Sequence, residues 1–259
     1  MDTVDLREFY GSRLGLATRR SLSGQLKPRL AGLSGGRIMG LGYAMPYLAD
    51  CTVKPEAQLA FMMARQGVFR WPEDGAVQSA LVDECDLPLL ESVVDVALVV
   101  HALELTDAPQ EMLREIWRVL APQGRLFLVV PNRRGVWARF DTSPFGHGQP
   151  FSKPQLSALL KESQFSVVSW SYALYFPPST RAAVLSAAPA IESLGSWLMP
   201  ALSGAIIVEA AKQVYAVAQG KRLRRIPNRT RPALAPVPAK GAWRHCRRRM
   251  VAYNAAHVP

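Results

Sequence analysis

The chain has few of the residues that hold metals or cross-link folds. Its 259 residues include three cysteines, Cys51, Cys85 and Cys246, and four histidines, none at metal-ligand or redox spacing. That scatter argues against a disulfide scaffold or a zinc module and reads as the reduced thiols of a cytoplasmic protein. Long apolar runs are missing too. The most apolar stretch, 193–208, is interrupted by Pro200 and Gly204 and falls short of the ~20 residues a spanning helix needs. The opening residues, Met1-Asp-Thr-Val-Asp-Leu-Arg-Glu8, have no basic cap followed by an apolar core, which argues against a secretory leader. Internal repeats are absent. Acid is missing from one region: of 31 Lys/Arg, 11 lie in residues 220–259, where there is no Asp or Glu. The formal charge of +11 is therefore the charge of that tail, and residues 1–219 are balanced.

What is present is a core-forming composition, 49% hydrophobic and 20% charged, as in globular proteins. Residues 3–30 have helical spacing (Leu6, Phe9, Tyr10, Leu14, Leu22, Leu26) broken by Gly11, Gly15 and Gly24, and predict one or two capping helices. Strands are expected at 37–41, 57–63, 76–82, 93–100, 125–130, 165–175 and 204–217. The run 93–100 is apolar except for Asp95, as expected of a parallel strand covered on both faces. Helices are expected from Pro46, between the second and third strands, over 108–120, after Ser152 to 161, and in an insertion at 176–203. This alternation predicts an α/β domain over 1–219: a doubly wound, mostly parallel seven-stranded sheet, Rossmann-like, with N-terminal capping helices. From 220 onward, five prolines and many cations with few apolar residues predict a flexible basic tail.

Four segments carry chemistry. Arg37-Ile-Met-Gly-Leu-Gly-Tyr-Ala-Met-Pro-Tyr-Leu48 reads as a strand, a tight turn and the start of a helix, the geometry that opens a nucleotide-binding α/β domain. Val82-Asp-Glu-Cys-Asp-Leu-Pro-Leu89 is an acidic loop after the third strand. Ser92–Glu104 is the fourth strand and its exit, and Leu113–Val130 is a helix, a Pro-Gln-Gly turn and the fifth strand. Each segment alone is weak. In this order and spacing, together with His147 before Phe151-Ser152, they resemble the class I S-adenosylmethionine-dependent methyltransferases, in particular the small-molecule type 11 branch, over about 37–165.

The resemblance implies S-adenosylmethionine as cofactor and assigns it a set of residues. Gly40, Gly42, Tyr43 and Ala44 would form the methionine-side turn. Asp83, Glu84 and Cys85 would read the adenine edge, with His101 beside them. The chain departs from the family where Ala44 and Pro46 replace further glycines, and Phe61-Met-Met-Ala-Arg65 offers no ribose carboxylate. Losing that charge-assisted pair costs roughly 1.5–3 kcal/mol. His101, at the ligand edge of the sheet, would be a general base, its ordinary pKa lying near neutrality; Glu104 would cap or orient its loop. Asn132, Arg133, Trp137 and His147 would bind substrate, the arginines suiting an anionic acceptor. No metal site is expected, since His101 and His147 have no partners at ligand spacing.

Three functions follow. The first is methyl transfer to a small-molecule acceptor. The second is a catalytically inactive methyltransferase-fold binding or regulatory protein, which the altered turn suggests. The third is an RNA methyltransferase, with nucleic acid held by the 221–249 basic segment.

Overall fold

The computed structural model of the chain describes residues 1–31, 36–49, 55–198 and 202–213. Cys51, Cys246 and the basic tail lie outside them. The strands are β1 (Arg37–Gly42), β2 (Ala57–Met63), β3 (Ser79–Val82), β4 (Val94–Val100), β5 (Leu120–Pro131), β6 (Phe165–Ala173) and β7 (Ala205–Lys212). They form one sheet in the order β3-β2-β1-β4-β5-β7-β6. The pairs from β3 to β5 are parallel, and β7 runs antiparallel to both its neighbours.

The sheet is covered on both faces, so its central strands are apolar over most of their length, with alternate residues serving different cores. Met39, Leu41, Ala97, Val99, Leu126 and Leu128 belong to one core. It is closed by α4 (Pro109–Val119) and α5 (Lys153–Glu162). Ile38, Val96, Leu98, Val100, Phe127 and Val129 belong to the other, closed by α1 (Thr3–Gly11), α2 (Arg13–Ala31) and α3 (Met45–Leu48), with α6 (Ala182–Leu198) contributing Ala188.

Local chemistry explains the element ends. Asp2 caps α1 reciprocally with Asp5, and Ser12 then breaks the chain between α1 and α2 by bonding back to the Phe9 carbonyl. Ser152 caps α5 in the same reciprocal way with Gln155. The family-like Glu-x-x-Arg of α4 has a structural use: Glu115 Oε1 accepts from Leu87 N at 2.8 Å, while Arg118 donates to the carbonyls of Leu89 (2.9 Å) and Leu87 (3.1 Å). This pair fastens the Leu87-Pro88-Leu89 segment to α4 and thereby holds the acidic loop that precedes it. Arg118, hydrogen-bonded to Glu115, holds that carboxyl below its ordinary range.

Two expectations differ from the structure. The helix expected from Pro46 is a single turn, α3. No helix lies between β2 and β3, where residues 64–78 form turns and loop around Gly67, Pro72 and Gly75.

Gly42 ends β1 at φ +78°, where a Cβ would also meet the Val100 carbonyl oxygen at 2.3 Å. Gly42→Ala is therefore expected to destabilise the fold by about 1–3 kcal/mol, read by chemical denaturation.

Candidate functional site

The carboxyl edge of the parallel strands is where open α/β sheets bind ligands. Here that edge is filled by the protein's own aromatic rings. Tyr10, projecting from α1, stacks on Tyr43 of the β1 turn, with ring centroids 5.1 Å apart and planes 19° from parallel. Tyr43 leans in turn on Phe69. The Tyr10 hydroxyl lies 2.9 Å from His101 Nε2 and accepts from the Tyr47 hydroxyl at 3.1 Å. On the other side of the imidazole, Nδ1 lies 3.1 Å from Glu104 Oε1. With Nδ1 protonated toward the carboxylate, Nε2 accepts from Tyr10, giving a continuous Tyr47-Tyr10-His101-Glu104 chain.

This cluster is buried. Tyr10 is 6% exposed, Tyr43 5%, His101 1% and Glu104 2%. Burial, reinforced by Tyr47, pushes the Tyr10 phenol well above its ordinary pKa; burial also raises that of Tyr43, against the pull of Arg7 and Arg19. His101 sits at φ +50°, a left-handed conformation costly for a residue with a side chain. Its carbonyl is held by Gln66 Nε2, and its ring meets Phe145 edge-on. Gln66 Oε1 and Glu104 Oε2 are buried with no hydrogen-bond partner among the described residues.

The other expected cofactor residues are placed as follows. Gly40 is filled on its open side by Leu48 and Ala44, which a Cβ would meet at 2.7 and 2.8 Å. The glycines of the turn thus admit the chain's own side chains and backbone. At the end of β2, where the family places a ribose carboxylate, Arg65 reaches across to the Leu105 carbonyl and Asp107 and pairs with Glu84 at 3.5 Å. Glu84 is itself buried and accepts from Thr106. Asp83 is exposed and accepts from Cys85 N at 2.9 Å. Burial and the neighbouring acids raise the Cys85 thiol, which keeps it a poor nucleophile. Tyr10 and Tyr43 thus cover the β1 turn that the resemblance assigns to the methionine side, and Arg65 stands at the end of β2 where it implies a carboxylate.

The four expected substrate residues do not gather. Asn132 is buried and bonds the Ser203 carbonyl and hydroxyl, tying β5 to the start of β7. Arg133 is exposed. Trp137 is fully buried, donates to the Phe176 carbonyl and packs edge-on against Phe145 and Phe176, so it is a core residue and not a pocket wall. His147 lies 2.8 Å from the Asp141 carbonyl, within its own loop.

A cavity of about 360 Å³ does lie between α2 and the expected insertion. It is lined by Arg20, Gln25, Tyr172, Tyr175, Leu185 and Glu192, among others. Glu192 accepts from the amides of Leu174 and Tyr175 and from the Ser21 hydroxyl.

Sequence reading missed Tyr10 as a site residue, although its spacing placed it on the buried face of α1. Gln66 and Phe145 carried no motif at all. Among the described residues no cluster of His, Cys, Asp or Glu could hold a metal ion, and no helix is long and apolar enough to cross a membrane.

Burial, then Glu192 and Tyr172, raises the Tyr175 phenol from 10.0 to about 12. The folded chain therefore keeps a proton that the unfolded chain releases first, so this contribution to stability is complete below pH 10 and disappears as pH rises through about 12. Thermal midpoints measured across that window are expected to fall, and to fall less steeply in Tyr175→Phe.

Comparison with known proteins agrees with the architecture. A family model described as a methyltransferase domain matches residues 40–128. An S-adenosylmethionine-dependent methyltransferase from Archaeoglobus fulgidus superposes with a TM-score of 0.51 at 17% identity, covering 79% of this chain and 96% of that one. Geranyl diphosphate methyltransferase, solved in complex with S-adenosylmethionine, gives a TM-score of 0.51 at 14% identity, covering 74% and 85%. No curated protein matches. At such identities the two structures speak for the fold, and the family model covers residues 40–128. Residues 40–128 match the methyltransferase-domain family model, and the chain has the Rossmann-like fold of the class I S-adenosylmethionine-dependent methyltransferases it resembles.

Proposed function

We propose that this chain uses the methyltransferase scaffold for binding and not for methyl transfer. The observation that carries this reading is Tyr10 standing in the crevice, stacked on Tyr43 and hydrogen-bonded to His101. Methyl transfer needs a sulfonium methyl aligned with a nucleophile in a water-free crevice. On this reading Tyr10 and Tyr43 take up that volume, and their burial is part of the fold. The absent ribose carboxylate, with Arg65 committed to Glu84 and Asp107, points the same way. The cavity between α2 and α6 is of ligand size, with apolar walls from Leu185, Ala188 and Phe176 and polar groups from Arg20, Gln25 and Glu192. A small molecule with an apolar body and an anionic end suits it, Arg20 being exposed at its border.

A second reading has its own support. A strained His101 oriented by a buried carboxylate, and two buried acceptors at Gln66 and Glu104 that lack donors among the described residues, are the features of a site prepared for a polar ligand. On this reading the protein methylates a small-molecule acceptor after α1 lifts Tyr10 away, and His101 then takes the acceptor's proton. The basic segment 221–249 that would anchor RNA lies outside the described residues.

Titration calorimetry with S-adenosylmethionine and S-adenosylhomocysteine separates the two. Wild type and Tyr10→Ala are both expected to show no binding at millimolar ligand. Micromolar binding by wild type would overturn the proposal outright, and binding gained only in Tyr10→Ala would establish the gated enzyme instead.

A further inference from the structure

Helix α6 does not look like a surface helix. Its sequence, Ala182-Ala-Val-Leu-Ser-Ala-Ala-Pro-Ala-Ile-Glu-Ser-Leu-Gly-Ser-Trp-Leu198, contains one charged residue, Glu192. That carboxylate is turned toward the protein, on the amides of Leu174 and Tyr175. The outward face therefore carries Ala183, Ala187, Ala190, Leu194 and Trp197, interspersed with serines and without a charge. Trp197 is 81% exposed and Leu194 60%, and Leu202, just beyond the helix, is 47% exposed. A helix apolar on all sides ordinarily lies in a core or against lipid. A contiguous exposed apolar face marks a docking surface.

The neighbouring helix identifies the occupant. α2 lies alongside α6, the two sharing the walls of one cavity and joined by the Ser21-Glu192 hydrogen bond. Over Arg13–Ala31 it contains Arg13, Arg19, Arg20, Lys27 and Arg29 and no acid. Arg20 and Lys27 are exposed. An apolar strip beside a basic helix is complementary to a surface that offers hydrocarbon below and negative charge above. A second copy of the chain would bring a second acid-free α2 against the first, which like-charge repulsion disfavours. Tryptophan, with an apolar body and one polar N–H, is the side chain best suited to the boundary between the two layers. The same polypeptide carries 11 Lys/Arg and no acid in 220–259, a second attraction to the same charge.

We propose that the outward face of α6, flanked by α2, is a peripheral docking surface for anionic membrane. The helix lies in the interface without spanning it. This inference is independent of whether the crevice ever holds a cofactor.

The test is sedimentation of the full-length chain with vesicles of phosphatidylcholine alone and of phosphatidylcholine mixed with phosphatidylserine. Binding is expected only to the mixed vesicles and is expected to weaken with salt. Leu194→Ser with Trp197→Ala should lower partition by about tenfold. Arg20→Gln with Lys27→Gln should lower it about fivefold for each charge removed. All four side chains are exposed, and circular dichroism with an unchanged thermal midpoint confirms that the variants fold. Three results overturn the proposal: no vesicle binding; vesicle binding that the Leu194/Trp197 pair leaves unchanged; or a dimer, or an RNA complex, that forms while vesicles are ignored.

Discussion

The contact between Tyr10 and the His101-Glu104 pair determines how the rest of this structure is read. It is made by α1, a helix of nine residues that could not stand alone in water. What stabilises α1 is the sheet edge it covers. Its cap at Asp2, the Thr3 N bond to the Gln66 carbonyl and the burial of Leu6 and Tyr10 all act together. The same contacts remove the crevice from solvent. Fold stability and closure of the site are thus one interaction here, and loosening one loosens the other.

Much of the architecture was legible because it depends on periodicity. The apolar run at 94–100, the amphipathic stripe of α4 and the Ser152 cap follow from local chemistry that a sequence displays directly. The antiparallel insertion of β7 between β5 and β6 was not legible, since pairing partners far apart in the chain leave no local trace. The missing helix between β2 and β3 is a different case. There the expectation came from the alternating pattern of the fold, while Gly67, Pro72 and Gly75 already contradicted it.

The site was legible in its departures from pattern and not in its geometry. The absent ribose carboxylate and the replaced glycines could be read as they stand. The assignments of Asn132 and Trp137 to substrate were drawn from their place after a strand, yet both side chains are used up inside the fold. The role of Arg65, bridging Glu84 and Asp107, depends on the distance between two loops, which no spacing rule supplies. Glu115 and Arg118 show the converse: a motif quoted for its resemblance turns out to be a clamp on the Leu87-Pro88-Leu89 segment.

The central claim is that α1 is a fixed part of the fold at the sheet edge. Amide hydrogen exchange of the full-length chain, with and without millimolar S-adenosylmethionine, addresses it directly. The account predicts that Leu6–Tyr10 exchange as slowly as the neighbouring core and that added cofactor changes nothing. Fast exchange in α1 against a protected β4, or a change in α1 protection on adding cofactor, would contradict it.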